Sequence, residues 1–312
     1  MSNSWIEQLQ SDDAGVRCVA LTQLQEELDG LSVDQILPLL HDGDATVRRL
    51  TVGILEELGD VRAIPALIEA TVDGARDVAE VARLALREFR SPEAAIPLIQ
   101  GLAHPNPAAR AAAILGLRDL RSLEAIPALI RAASDEDASV RREAIIALAH
   151  LRRLETLPVL RQTLKDADSE VRKIAVGAVS FFLESSTNSD LLDALFDEDW
   201  QVRRESAIAL SRFPSGPTVA GLSGALDDTH WQVAKEALVS LGKLRAPATS
   251  RVVSLLSHGM TDVRMAAATA LGESGDQATV GQLETLLKDP DTGVQKAARL
   301  ALEKLKQPSS KN

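Results

Sequence analysis

Ala125-Ile-Pro-Ala-Leu-Ile-Arg-Ala-Ala-Ser-Asp-Glu-Asp-Ala-Ser-Val-Arg-Arg-Glu-Ala-Ile-Ile-Ala-Leu-Ala-His-Leu151 contains one complete unit of this chain. Its Ile-Pro opening predicts a short first helix, because a proline in the first turn lacks only an N–H that the helix does not use. The Asp-x-Asp that follows predicts a tight turn. Its second member, Asp137, lies three residues before Val140, where it can cap a second helix and suit that helix's positive end. Turning about 100° per residue from Val140, taken as position 0, positions 0, 4, 7, 8 and 11 fall on one face. They hold Val140, Ala144, Ala147, Leu148 and Leu151, and in the next unit Val171, Ala175, Ala178, Val179 and Phe182. That face is predicted to be core. Positions 2, 6, 9 and 13 fall opposite and should meet solvent or a partner.

The unit recurs from end to end. Its anchor stands at Val16, Val47, Val78, Ala109, Val140, Val171, Val202, Val233, Val263 and Val294, at intervals of 31 residues with a single 30 before Val263. Such a period means stacked helical hairpins, none able to bury its own apolar face alone. We therefore expect one continuous array over residues 1–306, with a disordered tail over 307–312. The turn aspartate and the arginine after the anchor, as in Asp42 and Arg48 or Asp166 and Arg172, lie six apart in most units and suggest a structural Asp–Arg ladder.

Composition narrows the function. Hydrophobic residues make up 45% of the 312, yet aromatics only 3% and tyrosine is absent, which suits close-packed short helices. The net charge of −11 disfavours nucleic acid, whose phosphates call for a surplus of lysine and arginine. Cys18, the single cysteine, excludes an internal disulfide and fits a reducing cytoplasm; with no partner at ligand spacing it cannot hold a metal. No apolar run reaches the length of a membrane span or signal sequence. No nucleophile–base set, phosphate loop or paired-carboxylate motif stands out, and no catalytic residue is assigned.

Leu58-Gly-Asp-Val-Arg-Ala-Ile-Pro-Ala-Leu-Ile68 and Asp166-Ala-Asp-Ser-Glu-Val-Arg172 resemble the HEAT repeat, and more narrowly the short HEAT-like repeat of cyanobacterial phycobilin lyases. The resemblance covers roughly residues 5–306. It implies an all-α, right-handed solenoid of about ten 31-residue hairpins. It also implies a choice of roles: bilin attachment, phycobilisome turnover, iron–sulfur cluster assembly or general scaffolding. The related deoxyhypusine hydroxylase holds its iron with repeated His-Glu dipeptides. Here the histidines precede Asp42, Pro105, Leu151, Trp231 and Gly259, so that chemistry is excluded.

Function should lie where units depart from the common phrase. Trp200 and Trp231 stand two residues before their anchors, where other units carry residues such as Ala45, Arg76, Thr261 and Thr292. We expect the two indoles side by side, either as interface anchors or as local lids. Phe181 interrupts a column otherwise holding charged residues or His150, either as part of the same patch or packed into an irregular loop over Glu184–Asn188. Position 2 carries Arg49, Arg142, Lys173, Arg204, Lys235 and Lys296, a basic stripe that can also be ordinary charge paired with Glu143, Glu205 and Glu236. Small residues at position 9, from Ala149 to Gly272, should open a groove beside it. Pro214-Ser-Gly-Pro217, in place of Ile-Pro, suggests a local change of curvature.

The leading expectation is a cytoplasmic, non-catalytic scaffold or assembly factor. It would bind an acidic or amphipathic segment of a partner protein through Trp200, Trp231, Phe181, Arg142, Lys173, Arg204 and Lys235. The alternative implied by the resemblance is a lyase or isomerase holding phycocyanobilin or a related bilin. There the stripe would grip propionates and the aromatics would stack on pyrroles. A third is an iron–sulfur assembly helper whose cluster resides on its partner.

Overall fold

The computed structural model describes residues 4–26, 28 and 30–306; the tail over 307–312 lies outside the described residues. Twenty α-helices form among them, paired into ten hairpins, with no strand among the described residues. The chain divides into two compact units, residues 1–159 and 160–312.

The first unit contains α1 (Ser4–Leu9), α2 (Ala14–Glu26), α3 (Val33–Ile36), α4 (Ala45–Leu58), α5 (Ile64–Ala70), α6 (Arg76–Ala85), α7 (Ala95–Gly101), α8 (Pro107–Leu120), α9 (Ile126–Ala132) and α10 (Ala138–Leu151). The division falls within α11 (Leu157–Thr163). The second unit continues with α12 (Ser169–Val179), α13 (Ser185–Ala194), α14 (Trp200–Leu210), α15 (Gly216–Gly224), α16 (Trp231–Lys243), α17 (Ser250–Ser254), α18 (Thr261–Ser274), α19 (Val280–Thr285) and α20 (Thr292–Lys306). Even-numbered helices are the second members of their hairpins. Neighbouring ones pack together, α2 on α4 and α8 on α10 in the first unit, α14 on α16, α18 and α20 in turn in the second.

The turn chemistry is the expected one. Asp44 accepts the N–H groups of Thr46 and Val47, Asp137 that of Ser139, Asp168 that of Val171 and Asp199 that of Gln201. Each cap satisfies donors that the first turn of its helix leaves unpaired. Proline opens α5 and α9, and in α15 Pro217 opens the helix behind a cap by Ser215, so the changed dipeptide there serves the same end. Of the irregular loop expected over residues 184–188, residues 185–188 instead begin α13, a regular helix.

The predicted core face is largely buried. The anchors from Val47 to Val294 are sealed, as are Ala144, Ala147 and Leu148 and the set from Ala175 to Phe182. Two positions depart. Leu151 ends α10 and stays partly exposed, and Val16 in the first hairpin is 39% exposed. No helix among the described residues is long and apolar enough to cross a membrane.

Candidate interaction face

The Asp–Arg ladder exists and runs from turn to turn, each arginine gripping the carboxylate of the following repeat. Arg48 donates to the backbone carbonyl of Asp42 in its own repeat (2.8 Å) and grips the carboxylate of Asp73 in the next (2.7 and 2.8 Å). Arg110 holds Asp135 in the same way, and in the second unit Arg172 holds Asp197, Arg203 holds Asp228 and Arg264 holds Asp289. Each aspartate also accepts the N–H two residues on, as Asp42 does from Asp44 (2.9 Å). The guanidiniums of Arg48 and Arg264 hold Asp73 and Asp289 below the usual carboxylate range. Desolvation opposes the same effect at Asp228, where Arg203 prevails. These residues tie turn to turn and are structural.

Outside the ladder, three consecutive second helices of the second unit carry the predicted site. Lys173 on α12, Arg204 on α14 and Lys235 on α16 keep 29%, 44% and 35% of their side chains exposed. Trp200 and Trp231 open α14 and α16 and are half-buried. Each stands four residues ahead of its cation, a spacing that puts both side chains on one helix face. The indoles are not arranged as a simple pair. Trp200 stacks on His230, with ring centroids 5.5 Å apart and planes 6° from parallel. His230 is the residue just before Trp231, so the tryptophan of one repeat rests on the turn of the next.

The stripe is not a field of uncompensated charge. Lys173 bonds Glu170 (2.7 Å) and Gln201 (3.2 Å), Arg204 approaches Glu236 at 3.9 Å, and Lys235 lies between Glu236 and Asp262. Burial pushes the half-buried Glu205 carboxyl up, against the pull of Arg204 and Lys173. Arg142 lies on α10 in the first unit, half-exposed beside Glu143, whose carboxyl burial also pushes up.

Two expectations about this face are corrected. The small residues at position 9 do not open a groove, because the next helix fills the space. A Cβ added at Gly272 would lie 2.6 Å from the Ala301 Cα, and one at Gly242 would lie 3.3 Å from that of Ala270. Small side chains there permit close helix approach. Phe181 is not in the tryptophan patch either. It follows the C-terminal end of α12, whereas Trp200 opens α14, at the other end of a second helix ~16 Å long. The Arg212 guanidinium sits 5.5 Å from its ring centroid.

Burial pushes the Cys18 thiol up, away from thiolate reactivity. No cluster of three or more potential metal ligands occurs among the described residues. Column comparison missed Phe196, 85% exposed in the turn before α14. Its column reads Gln10, His41, Val72, Ala103, Ser134, Lys165, Asp227, Ser257 and Lys288 elsewhere, with no other phenylalanine, so the same comparison could have found it.

Repeated helical hairpins, capped alike and tied by a charge ladder, define an all-α repeat solenoid. The HEAT-repeat model matches residues 2–87, 95–180, 188–262 and 249–312, and the chain belongs to that family. Among solved structures, an engineered protein is similar at 22% identity over 97% of this chain and 98% of its own, with a TM-score of 0.51. Importin beta is similar at 14% identity over 97% of this chain and 51% of its own, with a TM-score of 0.62. A Kap95p–RanGDP structure is similar at 14% identity over 96% of this chain and 50% of that chain, with a TM-score of 0.66. At these identities the likeness concerns the fold. This chain spans about half the length of the importin beta and Kap95p–RanGDP matches. No curated protein matches the chain significantly.

Proposed function

We propose that this HEAT-repeat protein is a cytoplasmic interaction scaffold or assembly factor that engages a partner protein along α12, α14 and α16. One observation carries the reading. Trp200 with Arg204, and Trp231 with Lys235, repeat the same aromatic–cation pairing on adjacent helices and leave it accessible. Partly exposed tryptophan beside arginine is the composition of interface anchors. In the similar structure Kap95p binds RanGDP, which fits a protein-binding use of such a fold. An amphipathic partner segment fits better than an acidic one, because Glu170, Glu236 and Asp262 already occupy the stripe's cations. Arg142 and Phe181 are peripheral in this reading.

Tetrapyrrole handling would draw on the same residues less well. His230 covers one face of Trp200, and Phe181 lies at the far helix end. A photo-crosslinking residue at Arg204, and separately at Lys235, tests the scaffold in the native cell. Both positions should capture one protein that a crosslinker at the exposed Leu300 does not. Capture of nothing, or of unrelated proteins, would sink the proposal. So would a sharpened, red-shifted visible band on mixing the purified protein with phycocyanobilin.

A further inference from the structure

Position 3 after the anchor is mostly apolar, as at Val81, Ala112 and Ile174, and glutamate interrupts it at three places. Two of them have a cation at hand. Glu143 meets Arg118, which stands 25 residues earlier, at 3.4 Å, and Glu236 lies 3.9 Å from Arg204 and from Lys235. Glu205 differs. The equivalent earlier place holds Ser180, which is buried and donates its hydroxyl to the Gly177 carbonyl at 2.7 Å. Lys173 is engaged by Glu170 and Gln201, and Arg204 turns to Glu236. Among the described residues, no side chain closes an ion pair or hydrogen bond with the Glu205 carboxylate. Burial pushes that carboxyl up against the longer-range pull of Arg204 and Lys173. For folding alone an aliphatic side chain, like that of Ile174, would suit the place better, because a desolvated carboxylate without a partner is destabilising.

The same carboxylate can be reached. Gly177 on α12 stands at position 6, where α14 and α16 carry Ile208 and Val239, and both Gly177 and Glu205 keep part of their surface exposed. A Cβ at Gly177 would find Glu205 Oε1 at 3.6 Å and no other atom of a neighbouring helix within 4 Å. The space at Gly242 and Gly272 is filled by the next helix, whereas the missing side chain of Gly177 leaves a notch that ends at the carboxylate. Ile174, three residues before Gly177, and Ile208, three after Glu205, are both half-buried, and that spacing sets each beside its neighbour on the helix surface. A notch with apolar flanks and an acid at its end fits a long aliphatic stem carrying a cation.

We propose that Glu205, reached through the Gly177 notch, receives a lysine or arginine from the partner's amphipathic segment, whose apolar residues lie against Ile174 and Ile208. The incoming cation takes towards Glu205 the place that Arg118 takes towards Glu143. This rests on the partner-binding reading of α12, α14 and α16 and adds the residue type that the partner must carry.

The full-length protein with p-benzoylphenylalanine at position 235, irradiated in its native cell, provides the test. It should capture a protein whose mapped contact segment holds lysine or arginine among aliphatic residues. Glu205→Gln keeps the size of the side chain and removes its charge, so the yield should fall by about tenfold or more, the scale of one partner lost from a desolvated charge pair. Glu205→Lys, or glutamate in place of the partner's mapped cation, should lower the yield, and the two changes together should restore it. Thermal melts should place E205Q within about 2 °C of the wild type, so that the loss reports binding. A contact segment without lysine or arginine, a yield unmoved by E205Q, failure of the charge exchange or unfolding of E205Q would each overturn the proposal and leave the scaffold reading standing. No capture at position 235, or capture of a second copy alone, would remove both.

Discussion

Arg48 and Asp73 meet at 2.7 Å across successive turns, while the equivalent places one repeat later hold Ala79 and His104. The second unit repeats the contrast. Arg203 meets Asp228 at 2.6 Å, and the next pair of places holds Ala234 and His258. Both ends of the rung change together each time, and the geometry explains why. A ladder aspartate accepts an N–H within its own turn and receives a guanidinium from the turn before. Histidine keeps the first role. Nδ1 of His104 accepts the Asn106 N–H at 3.0 Å, and Nδ1 of His258 accepts that of Met260 at 3.0 Å. It cannot perform the second. An arginine facing that imidazole, or an aspartate without its arginine, would be a poorly compensated charge in a largely desolvated place. The internal brace survives in both repeats, since Arg110 and Arg264 still donate to the carbonyls of His104 and His258. Turn shape and turn-to-turn tie are thus separable, and only the tie needs a charge pair.

Breaking one end of an intact rung should give the largest effect. Replacing Arg203 with Ala leaves the Asp228 side chain, 10% exposed, without its guanidinium. The cost should be about 2–3 kcal/mol, as for a charged hydrogen-bond partner removed from a mostly buried site. The double variant R203A/D228A should lose less than the sum of the singles. Urea denaturation measures both, and a cost for R203A below about 0.5 kcal/mol, the range of ordinary surface changes, would make the rung incidental.

Building a rung where none exists sharpens the comparison. A79R and H104D should each destabilise or be neutral alone, while the double variant should match or exceed the wild type. The coupling expected in a double-mutant cycle is about 1–2 kcal/mol. An additive cycle would show that the empty place has a geometry unlike that of its neighbours.

The fold was legible because its signal repeats: the anchor column, the Asp cap and the Ile-Pro opening each recur, so chance agreement is small. The tie was half legible. The repeated Asp and Arg suggested a ladder from turn to turn, and the structure adds the register: each carboxylate is gripped by the arginine 25 residues earlier, as in Arg48 to Asp73. Nothing in the spacing alone fixes that register. The groove was misjudged because a run of small residues reads equally well as open space or as close helix contact, and Gly272 against Ala301 decides for contact. Phe181 was misplaced by adjacency of repeat number, which says nothing about which end of a helix a residue occupies. Phe196 stands six residues before its anchor, in a turn column of mixed polar and apolar residues that carries no periodic signal.

Trp200 offers a smaller test, because it joins neighbouring turns by stacking where the ladder joins them by charge. Truncation to Ala should cost about 1 kcal/mol, the worth of an aromatic contact plus partial burial. High salt should leave that cost unchanged while reducing the cost of R203A. If salt moves both alike, the stack is not an independent tie.

The smallest effect separates the two kinds of carboxylate. Arg48 lowers the folded pKa of Asp73, so that rung stabilises the protein above the unfolded aspartate value and loses its contribution as pH falls through the folded value. Glu205 has the opposite sign. Burial raises its folded pKa, so its ionised form is disfavoured in the native state, and this cost is relieved as pH falls through the raised value towards the unfolded one. Glu205→Gln should therefore be neutral or slightly stabilising at pH 7, by no more than about 2 °C in Tm for a half-exposed site. That advantage should shrink on acidification, whereas the penalty of Asp73→Asn should also shrink but from a large loss. Thermal melts of both variants and the wild type from pH 3 to pH 7 give the signs directly. A clear destabilisation by E205Q at neutral pH would mean that Arg204 and Lys173 outweigh desolvation, and that the stripe depends on this glutamate as the ladder depends on its aspartates.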